Sequence, residues 1–157
     1  MKRLHIHVGV ANIEQAIPFY SALFGAEPVK TKADYAKWLL DDPRVNFAVS
    51  TRANKKGVDH LGIQVDDTSE LDELRGRITS AGMTTFEEGE TTCCYAKSDK
   101  TWVQDPAGVA WETYRTMEDA HIFGEKPAIT ESACCTPETK GTPNCCEPSE
   151  ATAGCCG

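Results

Sequence analysis

The stretch DHLGIQVDDTSELDELRGRITSAG, Asp59 to Gly82, decides the architecture, because it is the second copy of a pattern that opens the chain. His60-Leu-Gly-Ile-Gln-Val65 aligns with His5-Ile-His-Val-Gly-Val10, and Asp67-x-x-Glu70 stands 55 residues after Asn12-x-x-Gln15. In the first copy Ile6, Val8 and Val10 alternate with His5, His7 and Gly9, the two-residue period of a half-buried strand, so His5 and His7 share a face. Each strand is followed by a capping signal that satisfies the free N–H groups of a helix start. Ile13, Ile17, Tyr20 and Phe24 then recur at helical spacing up to Gly25, and Leu71, Leu74 and Ile78 do so up to Gly82. Pro18, which removes a backbone donor inside the first helix, predicts a kink there.

Working outward, Glu27–Thr31, Tyr35–Leu40 and Val45–Thr51 read as strands, with a turn at Asp41-Asp42-Pro43. After the polar linker 52–57 the pattern restarts. Trp102-Val-Gln-Asp-Pro106 echoes Trp38-Leu-Leu-Asp-Asp-Pro43, and Val109-Ala-Trp-Glu-Thr-Tyr114 lies 64 positions after Val45-Asn-Phe-Ala-Val-Ser50. The fold class is therefore α+β, a tandem of two βαβββ modules, about 1–52 and 58–116, within one domain 1–116. From the helix-ending glycine to the tryptophan there are 12 residues in the first copy (26–37) and 19 in the second (83–101), so a loop carrying Cys93 and Cys94 is enlarged in one half only. Loops on a rigid scaffold are a usual seat of function. Residues 117–157, rich in Thr, Glu, Pro, Gly and Ser, bury too little apolar surface to offset their ordering entropy and read as a disordered, flexible tail. A docked helix over 118–124 is the competing reading.

The chain has 157 residues, and 16 Lys and Arg against 24 Asp and Glu leave a formal charge of −8. That balance disfavours nucleic acid and anionic membrane as partners. With no apolar leader and no span long enough for a bilayer, a cytoplasmic protein acting on a small molecule is expected, as a monomer or a homodimer. All eight cysteines are adjacent pairs: Cys93-Cys94, Cys134-Cys135, Cys145-Cys146 and Cys155-Cys156. Neighbouring cysteines close only a small strained ring, so the layout suits reduced thiols chelating a soft ion better than it suits disulfide stapling. Accidental pairs, or tail cysteines bridging between positions, are the plainer alternative.

The duplication puts His5 and His60 at equivalent strand positions, facing each other across the sheet. Alternation sets Glu112 on one face with Ala110 and Tyr114, and its counterpart in the first half is Ala48. Two imidazoles and one carboxylate with open positions suit Fe(II) and dioxygen, and could equally hold Zn, Mn or Ni. A single strand-start histidine is more often structural; it is the pairing with His60 and Glu112 that makes the set a candidate metal site. His7, Tyr95, Trp102 and Tyr114 are candidates for its surroundings or the pocket wall. Lys97 and Lys100, close to Cys93 and Cys94 in sequence, would favour thiolates there. Small buried hydrophobes are the alternative reading of that pair.

The duplicated pattern, His5, His60 and Glu112, the NIEQAIPFYSALFGAEP and DHLGIQVDD segments and above all TTCCYAKSDKTWVQDPAGVAWETY resemble the vicinal oxygen chelate superfamily, which includes glyoxalases, bleomycin-resistance proteins and dioxygenases. Within it the chain is similar, over residues 1 to about 116, to the carbon–arsenic lyase and cadmium-induced protein group. The resemblance implies a non-haem iron dioxygenase with Fe(II) on His5, His60 and Glu112 and dioxygen as co-substrate. Its substrates would be trivalent organoarsenicals such as methylarsenite or reduced aromatic arsenicals, held by Cys93 and Cys94 and cleaved to arsenite for arsenic resistance. The tail pairs would be accessory thiols. Two alternatives remain at this stage: a cadmium- or arsenite-binding resistance protein without catalysis, and a glyoxalase-like metalloenzyme, which would want a fourth ligand where Ala48 stands.

Overall fold

A computed structural model of the chain describes residues 1–120 and 124, and the tail cysteine pairs at 134–135, 145–146 and 155–156, with the bulk of the expected tail segment, lie outside the described residues. In chain order the elements are β1 (Arg3–Gly9), α1 (Ile13–Phe24), β2 (Lys30–Lys32), β3 (Tyr35–Asp41), β4 (Arg44–Ser50), β5 (Gly57–Val65), α2 (Thr68–Ser80), β6 (Thr85–Cys93), β7 (Ala96–Gln104) and β8 (Ala110–Asp119). They form two βαβββ modules as expected. The strands make one eight-stranded sheet ordered β2-β3-β4-β1-β5-β8-β7-β6. β1 pairs parallel with β4, β5 pairs parallel with β8, and the modules join at the antiparallel β1–β5 seam. Among the described residues no helix is long and apolar enough to cross a membrane.

The helix signals behave as their chemistry requires. The Asn12 side chain accepts from Gln15 N, and the Asp67 side chain accepts from Glu70 N, so each N-cap satisfies a free donor. Gly25 closes α1 with φ 63°, a left-handed conformation that costs glycine little. α1 continues through Pro18. Pairing across the sheet carries the row Trp38, Phe47, Ile6, Leu61, Trp111, Val103 on the helix face, and the row Asn46, His5, Gly62, Glu112, Trp102 on the other.

Beneath α1, Tyr20 and Phe24 pack on Phe47 with ring centroids 4.6 and 5.0 Å apart. Trp38 is fully buried, and burying such a side chain contributes about 1.5–3 kcal/mol or more. At the repeat positions α2 offers Arg75 and Thr79 in place of those rings. Leu71 and Leu74 pack with Val65 and Ile63 there, and an apolar cavity of about 590 Å³ remains beside Ile63, Leu74, Ile78, Val103 and Trp111.

Three expectations change. The tryptophans are not equivalent: Trp38 pairs with Phe47 on the helix face, whereas Trp102 pairs with Glu112 on the opposite face. The hairpin after Gln104 has a longer turn (105–109) than the one after Asp41 (42–43), which shifts the register by one and makes Lys37, not Trp38, the partner position of Trp102. The enlarged segment around the thiols is no loop. It extends the β6–β7 hairpin, whose last pair is Cys93 with Ala96. Finally, β8 runs past residue 116 to Asp119, because Lys97 and Ala96 of the lengthened β7 offer it partners in Glu118 and Asp119. Residues 118 and 119 are thus strand, which removes the start of the alternative helix.

Candidate metal and thiol site

The β1–β5 register places His60 directly opposite His7, and His5 opposite Gly62. The three imidazoles are buried, with ring centroids 5.3 Å apart for His5 and His60 and 4.7 Å for His7 and His60. Their ligand nitrogens all lie within 4.8 Å of one another. Glu112 reaches this cluster from β8: its Oε1 is 3.2 Å from His5 Nε2 and 3.5 Å from His60 Nε2. A Cβ on Gly62 would come within 2.7 Å of Glu112 Cγ and 2.5 Å of its carbonyl oxygen, so the missing side chain is what lets the carboxylate cross β5.

Both Nδ1 atoms are already engaged. His5 Nδ1 lies 3.0 Å from Asn46 O, and a carbonyl can only accept, so this nitrogen donates. His60 Nδ1 lies 2.8 Å from Asp59 Oδ2, with both side chains buried. The carbonyl holds His5 as the tautomer with a free Nε2 lone pair, and the Asp59 carboxylate fixes the His60 ring with its Nε2 turned toward Glu112. Asp59 was missed by sequence reasoning, since strict alternation sends it to the face opposite His60. A β-bulge re-aims it: His7 pairs with His60 and Val8 with Val58, leaving Asp59 as the extra residue.

Lys100, 5% exposed, donates to Glu112 Oε2 at 2.8 Å. Its pairing with a buried carboxylate was also missed, because Lys100 was read only as a neighbour of the thiols. Burial works against the ammonium, but the Glu112 carboxylate, joined by the Cys93 and Cys94 sulfurs once they ionise, outweighs it and holds the Lys100 pKa above its ordinary value. Burial likewise works against the Glu112 carboxylate, and Lys100 and His60 overcome it and hold its pKa well below the usual range. Burial pushes His5 down to about 4, with Glu112 opposing, so the imidazole is neutral and its lone pair is open near neutral pH.

Cys93 is buried at the end of β6, and Cys94 and Tyr95 form the two-residue turn with φ 55° and 60°. Positive φ at both central residues matches the right-handed twist of the hairpin but is a conformation side chains resist, costing roughly 1–3 kcal/mol each. Neither Cys93 nor Cys94 is joined in a disulfide, and their sulfurs lie 3.1 Å apart. The hydrogen bond that the Cys94 thiol shares with Cys93, followed by burial, raises the Cys94 pKa well above its ordinary value even though Lys100 pulls the other way. The expected thiolate-favouring effect is therefore outweighed in the ligand-free protein. The turn is fastened to the first module: Tyr95 OH donates to Asp34 Oδ1 at 2.5 Å, and Lys30 donates to Tyr95 O at 2.9 Å.

The cavity between these groups is about 30 Å³ and is bordered by Cys93, Cys94, His5, Glu112, Lys100 and Tyr35 among others. Tyr114 also borders it, its ring 5.4 Å from His5 and its hydroxyl 2.8 Å from Asn46 Nδ2. Trp102 lies against His60, centroids 5.2 Å apart. Tyr95 packs against Tyr35 at 5.7 Å with its hydroxyl directed to Asp34, so it braces the wall from outside. Two imidazoles and a carboxylate oxygen converging within 3.5 Å form a donor set that fits a divalent metal, and the adjacent sulfurs fit a soft ion.

Residues 2–113 match the profile of the Glyoxalase/Bleomycin resistance protein/Dioxygenase superfamily. The chain is 42% identical to the trivalent organoarsenical cleaving enzyme of Bacillus sp. (strain MD1), covering 93% of this chain and 99% of that protein. It is 37% identical to the cadmium-induced protein CadI of Mycobacterium bovis, covering 86% and 93% respectively. Among solved structures, the Mn(II)-bound glyoxalase from Novosphingobium aromaticivorans superimposes with a TM-score of 0.53 at 21% identity, over 83% of this chain and 44% of that one, a likeness of fold.

Proposed function

The chain belongs to the Glyoxalase/Bleomycin resistance protein/Dioxygenase superfamily, and we propose that within it the protein is an Fe(II)-dependent dioxygenase that cleaves the carbon–arsenic bond of trivalent organoarsenicals. The observation that carries this reading is the meeting of a vicinal thiol pair outside any disulfide with His5 and Glu112 on the wall of one cavity. The relatives named as trivalent organoarsenical cleaving enzymes support it.

His5, His60 and Glu112 would hold the metal, with His7 beside them. Bound Fe(II) would supply the one-electron and dioxygen chemistry that amino-acid side chains lack. Asn46 and Asp59 keep the two imidazoles turned, and Lys100 occupies Glu112 Oε2 so that Oε1 is the oxygen offered to the metal. The Cys93 and Cys94 thiols displace two hydroxyls of the arsenical as water, forming two S–As bonds. This holds the arsenic and orients its carbon, and such positioning supplies a large share of catalysis. For methylarsenite the balance is CH₃As(OH)₂ + O₂ → As(OH)₃ + HCHO. Arsenic stays trivalent, the carbon gives up four electrons, and one dioxygen takes them. Tyr35 and Tyr114 close the cavity against water.

The vicinal sulfurs, and relatives named for induction by cadmium, also favour a second reading: soft-metal sequestration without turnover. Aerobic incubation of the iron-loaded, thiol-reduced protein with methylarsenite separates them. Oxygenase activity yields arsenite and formaldehyde with equimolar oxygen uptake, and none under anaerobic conditions. Stoichiometric arsenical binding without oxygen uptake would sink the enzymatic reading.

A further inference from the structure

The pseudo-twofold between modules relates Ala48 to Glu112 and Tyr35 to Lys100. In β4 Ala48 pairs with His7 and Lys37, as Glu112 in β8 pairs with Gly62 and Trp102, and Tyr35 stands on β3 where Lys100 stands on β7. The second module uses its pair of positions for a buried ion pair. The first uses them for a ring over a methyl group: Tyr35 and Ala48 are 2% and 0% exposed and form one apolar cluster, with Cys94 and Tyr95 packed against it. Tyr35 thus lies next to the thiol that would hold arsenic, and it borders the same small cavity as Cys93, Glu112 and Lys100.

We infer that Tyr35, backed by Ala48, is the specificity-determining residue of this site, limiting the carbon substituent on a thiol-held arsenical to about the size of a methyl group. The inference rests on the proposed thiol clamp and concerns which trivalent arsenical it accepts. The cavity of about 30 Å³ has room for about two water molecules, whereas an apolar cavity that takes a benzene ring has about 150 Å³. That suffices for a methyl group, and an aromatic ring is several times larger. Most other groups on this wall are fixed by chemistry: the sulfurs by the clamp, Glu112 and His5 by the metal set, and Lys100 by its ion pair. Tyr114, the other ring on this wall, is tied through its hydroxyl to Asn46, whose carbonyl orients His5, so Tyr35 is the ring that can be shortened without disturbing a donor of either set. Its ring is held from behind by Tyr95, whose hydroxyl is fastened to Asp34, so it cannot yield without disturbing the hairpin tip.

The test compares methylarsenite with phenylarsenite on the full, reduced, iron-loaded chain, for wild type and for Tyr35→Phe, Tyr35→Leu and Tyr35→Ala. A second readout is anaerobic tryptophan-fluorescence titration, taking as clamp binding only the signal lost in Cys93→Ser. Wild type should prefer the methyl compound about tenfold or more in kcat/KM, the scale on which apolar pockets discriminate substituent size. Tyr35→Phe, which keeps the ring, should keep that ratio. Tyr35→Leu and Tyr35→Ala should lower it progressively through gains for phenylarsenite. Equal use of both arsenicals by wild type overturns the inference without any variant, as does an unchanged ratio in a folded Leu or Ala variant. If neither compound is cleaved but titration shows the same size discrimination, Tyr35 stands and the oxygenase reading falls. If both are cleaved equally, the oxygenase reading stands and Tyr35 falls.

Discussion

His5 Nε2 and Glu112 Oε1 lie 3.2 Å apart although β5 runs between their strands, and the residue between them in the row is Gly62. The candidate metal set therefore depends on an atom that is missing. Gly62→Ala should push Glu112 off the two imidazoles and weaken Fe(II) or Mn(II) binding by about 10- to 100-fold, the range seen when a ligand loses its orientation. Anaerobic metal titration measures this, with far-UV circular dichroism showing that the sheet persists. Unchanged affinity would mean that Glu112 is not a ligand.

His5→Ala, His60→Ala and Glu112→Ala should each cost more metal affinity than His7→Ala, since only the first three belong to the proposed ligand set. If His7→Ala loses the metal and His5→Ala retains it, the set is the histidine cluster with His7 in place of His5.

Glu112→Ala carries a second cost, visible without metal. It leaves the Lys100 ammonium buried and uncompensated, which destabilises a fold by about 3–5 kcal/mol. Adding Lys100→Met should recover much of that loss in urea unfolding of the apo protein. Additive losses in the double variant would show that the pair does not interact as its 2.8 Å distance demands.

Cys93→Ser and Cys94→Ser should each lose clamp binding of methylarsenite and keep metal affinity, because a hydroxyl is a hard, protonated donor. Tryptophan-fluorescence titration reads the first and metal titration the second. Retained arsenical binding in both variants would remove the clamp.

The helix caps offer a pH test away from the site. Hydrogen bonds from Ser69 and from the Glu70 backbone hold the Asp67 pKa below its ordinary 3.8. A depressed carboxyl contributes stability that is present above 3.8 and lost as pH falls through the lower folded-state value. The melting-temperature gap between wild type and Asp67→Asn should therefore be constant above about pH 5 and shift against wild type in more acidic solution. Asn12→Ala, at the uncharged cap of α1, should cost about 1 kcal/mol with no such pH dependence. A pH-flat Asp67 difference would remove the charge from that cap.

The sequence by itself determined the duplication, because strand alternation and helix capping are local and each copy writes them out in full. His5-x-His7, Asn12-x-x-Gln15 and their second copies place both helices and the β1 and β5 strands without tertiary information. It also put His5 and His60 at equivalent positions and Glu112 on the same face as Tyr114, since a two-residue period fixes the face of any residue on an unbroken strand. Where the period breaks, local reading fails. The bulge that turns Asp59 toward His60 and the longer turn that separates Trp38 from Trp102 are properties of pairing between strands, and no strand records its partner's register. The seam that sets His60 opposite His7, the pairing of Lys100 with Glu112 and the seat of Tyr35 on Ala48 beside Cys94 were decided only in three dimensions. They join residues far apart in the chain, and burial makes each bond obligatory once the sheet has formed.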